Sequence, residues 1–228
     1  ILRNETPSGP HGAKPAERLE VCGDLRLRHE SEVRLPDRPD RHRERVRLRV
    51  DACYPVTTEV SVEGRVTTGS RSDPNSPHQT LGEAFHRFEL NLDRALVRYK
   101  PHWAKRVTAV AGKLEHPFWR NPVYGDLVWD ADVSPEGATQ AYSYEGSGSV
   151  RTAGVALGEY IFLEQGSGGE AGVLAAQGRV VLSASERVSI DGAIAYYHYG
   201  NLTPDGALLI LSESGDNARA LGDSAFAS

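Results

Sequence analysis

From Leu19 onward apolar and polar positions alternate. Leu19, Val21, Leu25 and Leu27 interleave with Glu20, Cys22, Asp24, Arg26 and Arg28. Val46, Leu48, Val50, Ala52 and Tyr54 interleave with Arg45, Arg47, Arg49, Asp51 and Cys53; Val60, Val62 and Val66 interleave with Glu59, Ser61, Glu63 and Arg65. Period two marks a strand, whose successive side chains point to opposite faces. Weaker alternation predicts strands over 88–99, 106–112, 138–144, 153–164, 173–183 and 188–199, nine in all. The phase of 88–99 slips near Asp93–Arg94, which predicts a bulge there. Within 153–164 both faces are apolar, so alternation does not say which one points inward. No segment has the period of an ordinary amphipathic helix, although 80–89 has room for one short helical turn. Residues 1–18 have no period and carry Pro7, Gly9, Pro10, Gly12 and Pro15, the composition of a flexible leader.

The connections sort by length. Long ones are predicted at 30–43, 68–87, 113–137 and from 200 on, with a moderate Gly-rich loop at 165–171. Short ones fall between them at 54–57, 101–105, 146–151 and 185–187. In an up-and-down meander every other connection lies at the same end, so this order puts short turns at one end and long loops at the other. Transmembrane β-barrels show that asymmetry.

Pairing about the tip at 36–39 sets Leu25 against Val50, Leu27 against Leu48 and Cys22 against Cys53. Pairing about Val56 sets Ala52 against Val60, Val50 against Val62 and Arg49 against Glu63. This register keeps both faces consistent across three strands and makes a Cys22–Cys53 disulfide plausible, with two unlinked cysteines the alternative.

Two readings of the faces compete. In one, the apolar face packs on a second sheet and the charged face meets bulk water, as in a soluble secreted carbohydrate-binding sandwich. In the other, the apolar face (Val46, Leu48, Val50, Val60, Val62, Leu174, Val180, Leu182, Val188, Ile190 and Ile194) meets lipid, and the charged face lines water. The apolar residues are mid-sized, and Tyr54, Tyr99, Trp103, Tyr142 and Tyr144 cluster near strand ends, where interfacial girdles sit.

Composition narrows the classes. The chain has 228 residues and a formal charge of −5, so a polyanion such as nucleic acid is an unfavourable partner. Hydrophobic residues make up 39% and no apolar run reaches the length of a helical membrane span, which leaves a β-barrel open. Methionine is absent, so Ile1 is expected to follow a processed or cut end.

Four segments carry a family resemblance. Residues 92–101 (LDRALVRYKP) resemble the LDRAYLKYxP strand of the putative porin family of Gram-negative outer membranes. Residues 112–118 (GKLEHPF) resemble its GKxxNPF element, and 126–138 (DLVWDADVSPEGA) its DLVWDxDLxPEG loop. Residues 193–201 (AIAYYHYGN) are similar to its AAYYDYxN strand. The motifs come in the family's order and span about 19–205. The resemblance implies an all-β, antiparallel up-and-down transmembrane β-barrel in the bacterial outer membrane, with a periplasmic amino terminus at the leader 1–18. Three features depart from it: the missing amino-terminal coiled segment, the two cysteines and the carboxyl end. Nine strands, with a tenth starting near Ala218, and an end (AFAS) without a terminal aromatic strand are expected of the amino-terminal half of such a barrel, over 19–228.

Within that barrel, Arg26, Arg28, Arg45, Arg47, Arg49 and Arg65 share one face of three strands. Unpaired in a core they would be prohibitively costly, so they must meet water or partners; here they form a basic wall of the lumen. The loop 113–137 carries Asp126, Asp130, Asp132 and Glu136. Folded inward, it would set acids against that wall at a constriction. The face-assigned lumen charges otherwise nearly balance, so strong ion selectivity is not expected. Asp126, Asp130 and Asp132 could hold Ca²⁺, but the rest of an EF-hand pattern is missing. The histidines have no metal-ligand spacing, although His78, Glu83 and His86 could meet in one loop. The Gly-Ser turns lack a phosphate-loop lysine, and no nucleophile elbow or acid pair stands out.

The expected function is that of an outer-membrane porin, not an enzyme and needing no cofactor, through which small hydrophilic solutes or ions diffuse passively. A plugged structural barrel serving as a scaffold or partner-binding surface is the alternative. Outer-membrane lipid is the expected surrounding, and a homo-oligomer, a trimer, follows by analogy only.

Overall fold

The computed structural model describes residues 19–33, 40–70, 76–82, 87–121, 132–163, 171–185 and 188–200. Over them the chain forms ten strands: β1 (Glu20–Glu32), β2 (Arg41–Pro55), β3 (Val60–Thr68), β4 (Gln79–Thr80), β5 (Leu90–Tyr99), β6 (Val107–Lys113), β7 (Glu136–Glu145), β8 (Val150–Leu163), β9 (Ala171–Ser185) and β10 (Val188–Gly200). A short 3-10 turn at His102–Ala104 joins β5 to β6. The sheet runs β1-β2-β3-β5-β6-β7-β8-β9-β10, antiparallel throughout, and does not close on itself among the described residues. The two-residue β4 pairs with β2 beyond the end of β3.

All nine expected strands form, and β4 is additional. It stands where the helical turn at 80–89 was expected: Thr80 is strand, and the other described residues of that stretch form no helix, 83–86 lying outside the described residues. The leader 1–18 and the strand expected near Ala218 also lie outside them. The bulge falls where the phase slip placed it. Arg65 pairs with Arg94 and Val66 with Leu92, leaving Asp93 as the extra residue.

The hairpin registers differ from expectation. Leu25 faces Leu48 and Leu27 faces Val46; Val50 faces Val66 and Ala52 faces Gly64. Local hydrogen bonding at the second turn gives the reason there. Thr57 Oγ1 accepts from the amides of Glu59 and Val60, and the Val56 amide donates to the Val60 carbonyl at 2.9 Å, which moves the turn centre from Val56 toward Thr58. Both displacements are even, so every side chain keeps its face. They do separate the cysteines. Cys22 faces Asp51, Cys53 faces Glu20, and both thiols are free. Of the two alternatives the unlinked pair is the one found, because diagonal neighbours lie about 7–8 Å apart, too far for a disulfide.

One face, called inner here, is covered by the chain that leaves β6. Leu114 and Phe118 pack there against Leu96, Tyr160, Val173 and Ala175, and these six buried residues form the core. In β8 the inward side is therefore that of Gly154, Ala156, Gly158, Tyr160 and Phe162. Tyr160 lies back over Gly158, where a Cβ would meet its hydroxyl at 1.9 Å, and that hydroxyl hydrogen-bonds Thr139 Oγ1 at 2.7 Å.

The outer face is apolar and uncovered. Leu25, Leu48, Val50, Val62, Leu174, Val180, Leu182, Val188, Ile190 and Ile194 are exposed on it, Ile194 by 79%. Val46 and Val60 share it, half-buried. Tyr54, Tyr99, Trp103, Tyr142 and Tyr144 are exposed at the end that carries the connections 56–59, 100–106, 146–149 and 186–187. The opposite end carries 33–40, 69–89, 114–135 and 164–170. The length contrast is strong except at 100–106, which equals 164–170 and is one residue shorter than 33–40.

Candidate functional site

The inner face of β1, β2, β3 and β5 is charged because period two puts every second residue there. β1 contributes Asp24, Arg26, Arg28 and Glu30; β2 contributes Arg43, Arg45, Arg47, Arg49 and Asp51; β3 contributes Glu63 and Arg65. The bulge at Asp93 resets the phase of β5, so Arg94 and Arg98 join the same face. All six arginines named from the sequence sit here. Arg43, Arg94 and Arg98 were not anticipated. The signal for the last two was available, since counting past the slip at Asp93 turns them inward.

The charges are organised in two zones. Toward the short-turn end each guanidinium meets a carboxylate. Arg98 forks onto Glu63 at 2.6 and 3.0 Å, Arg65 donates to Asp51 at 2.7 Å and lies 3.9 Å from Asp93, and Arg94 donates to Glu115 at 2.8 Å. Arg49 donates to Asp132 at 2.5 Å. Forked, charge-assisted bonds of this kind fix both geometry and charge.

Toward the long-loop end, carboxylates are fewer. Arg47 donates to Asp24 at 2.7 and 3.2 Å. Glu30 is shared by Arg43, Arg28 at 3.5 Å and Arg45 at 3.5 Å. Arg45 also donates to Ser76 Oγ at 2.7 Å and to the His78 carbonyl at 3.0 Å. His78 lies in the β3–β5 connection, next to β4, and is buried. Burial, then Arg45, Arg47 and Arg26 beside it, push its imidazole down to about 4, so it is neutral at ordinary pH.

The connection after β6 turns inward through glycine. Gly112 and Gly137 face one another across β6 and β7 with φ of +124° and +154°. A Cβ on Gly137 would meet the Glu159 carbonyl at 2.0 Å, so no larger residue fits that close approach. Beyond Gly112, Phe118 packs edge-on against Tyr160 and Tyr197, with ring centroids 6.3 and 5.7 Å away. The Trp119 backbone exchanges hydrogen bonds with the Gln177 amide at 2.7 and 3.0 Å. Its ring lies under Arg179, which forks onto Asp191. Phe118 and Trp119 thus occupy the inner face along β8–β10, while Glu115 of the same segment reaches Arg94 on β5.

Of the four loop acids, Asp132 comes inward and meets Arg49. Glu136 does not: it begins β7 on the outer-face phase and pairs with Lys113 at 2.9 Å, a correction that follows from the strand starting one residue before Gly137. Asp126 and Asp130 lie outside the described residues. Phe118 and Trp119 were not singled out as part of this site, because an isolated Pro-Phe-Trp in a long loop carries no period to assign it to a face.

A family model described as a putative porin matches residues 34–217. No curated protein matches the chain.

Proposed function

The chain belongs to the putative porin family, and from that premise we propose that it lines a water-filled pore in a bacterial outer membrane through which small hydrophilic solutes and ions diffuse passively. The observation that supports this most is the contrast between the two faces. On β2 the outer apolar run is Val46 to Tyr54, nine residues, with Glu44 and His42 beyond it. At about 3.3 Å per residue and a tilt of about 40°, that run spans about 23 Å, close to the roughly 25 Å apolar band of outer-membrane barrels. A soluble protein rarely leaves so large an apolar surface uncovered. The arginine-rich inner face is the natural wall of an aqueous passage, since guanidiniums in lipid are costly.

In this reading the short turns and their tyrosines lie at the periplasmic interface and the long loops face outward. β1 starts at the short-turn end, so the chain enters from the periplasm. Solute choice is passive, set by passage width and wall charge. The test is single-channel recording of the purified protein in planar bilayers. Discrete ohmic steps in KCl are expected; a folded, inserted protein without steps would contradict the reading.

The inward segment 114–119 favours a second reading, a plugged barrel serving as a scaffold. The same recording separates the two, because a plugged barrel inserts without conducting until the segment is loosened.

A further inference from the structure

We propose that the long-loop end of the inner face holds an oxyanion-binding station formed by Arg26, Arg28, Arg45, Arg47 and His78. It deepens the pore reading and rests on it for its role: a first binding site for solutes that carry a carboxylate, phosphate or sulfate group.

Register and pairing carry it. Arg26 stands directly opposite Arg47, and Arg28 directly opposite Arg45. Like charges in facing positions of two strands repel, and here two such pairs are consecutive on one face. Among the described residues, carboxylates do not offset them. Between the rim, where Glu32 faces Arg41, and the Arg49–Asp132 pair, five guanidiniums (Arg26, Arg28, Arg43, Arg45, Arg47) meet two carboxylates (Asp24, Glu30) among the described residues. Arg26 is exposed and has no ion-pair or hydrogen-bond partner among those residues. The short-turn zone of the inner face differs, with Arg49, Arg65, Arg94 and Arg98 each matched to a carboxylate.

Unpartnered buried nitrogens occur in both zones, Arg45 Nε and His78 Nε2 here and Arg49 Nε and Arg94 Nε toward the short-turn end. Here they coincide with the charge excess, and His78 as a whole is 8% exposed. A buried polar group without a partner costs free energy, and a bound anion would recover it. Planar guanidinium forks match the paired oxygens of a carboxylate or phosphate better than a spherical halide. The neighbouring Ser76 hydroxyl, already held by Arg45, adds a further polar group at the same place. Neutral His78 contributes a hydrogen bond and no charge of its own.

The probe is inorganic phosphate, titrated calorimetrically into the intact protein folded in a phosphate-free detergent at low salt. Saturable binding that weakens as KCl rises is expected. Arg26→Gln, at an exposed and unpaired site, should weaken it about tenfold or more, while Arg106→Gln, on the short-turn side, should leave it unchanged. Arg28→Gln provides a second variant should the first fail to fold. No saturable binding, or wild-type affinity in the folded Arg26→Gln or Arg28→Gln protein, would overturn the station. Conductance of the same preparation is read separately. Chloride current without phosphate binding removes the station and keeps the pore; phosphate binding in a protein that does not conduct keeps the station and removes the pore.

Discussion

Leu48 and Arg49 are neighbours in sequence and opposites in surroundings: the first is exposed on the apolar face, the second is largely covered and bound to Asp132. Placed in lipid, Leu48→Arg should cost about 2–4 kcal/mol near the bilayer midplane. Denaturant titration of folding into vesicles measures it, and a cost near zero would put Leu48 in water. The cysteines give a second residue-scale prediction. With Cys22 exposed and opposite Asp51, its thiol should label with a maleimide before reduction as fully as after it. Protection before reduction would restore the disulfide. The pairing expected from sequence was off by two positions in the β1–β2 hairpin and by four in the β2–β3 hairpin; in the second the centre is set by the turn hydrogen bonds of Thr57, which alternation does not encode.

At the scale of elements, Phe118 holds the segment after β6 against β8 and β10. Phe118→Ala should cost about 3–5 kcal/mol as a buried aromatic truncation and should raise single-channel conductance by releasing the segment from the passage. Unchanged conductance with lost stability would make the contact structural only. Strand existence was legible in the sequence, and so was face except in β8, where both faces are apolar, because both depend on the same period of two. Even the bulge at Asp93 showed as a break in that period. The inward fold of 114–119 was not legible, since it depends on contacts between Phe118 and tyrosines 42 and 79 residues further along. β4 was missed for a similar reason: two residues of a long connection, Gln79 and Thr80, extend the sheet beside β2 only because β3 ends short of Arg45.

At the scale of the whole molecule, the inner face sets a basic region beside Asp132. Neutralising Arg26, Arg28 and Arg47 together should move the reversal potential in a KCl gradient toward cations, and Asp132→Asn should move it toward anions. Both shifts should shrink at high salt as screening shortens the reach of each charge. If neither set moves it at low salt, the arginine-rich face does not line the conducting path. Beneath these predictions stands one claim, that the outer face meets lipid while the inner face meets water. A nitroxide scan of residues 46–54 on β2, in a background with both native cysteines replaced by serine and the protein folded into vesicles, tests it most directly. Oxygen accessibility should peak at 46, 48, 50, 52 and 54, and that of a water-soluble nickel chelate at 47, 49, 51 and 53. Equal access of the nickel chelate to both sets, or the reverse phase, would contradict it.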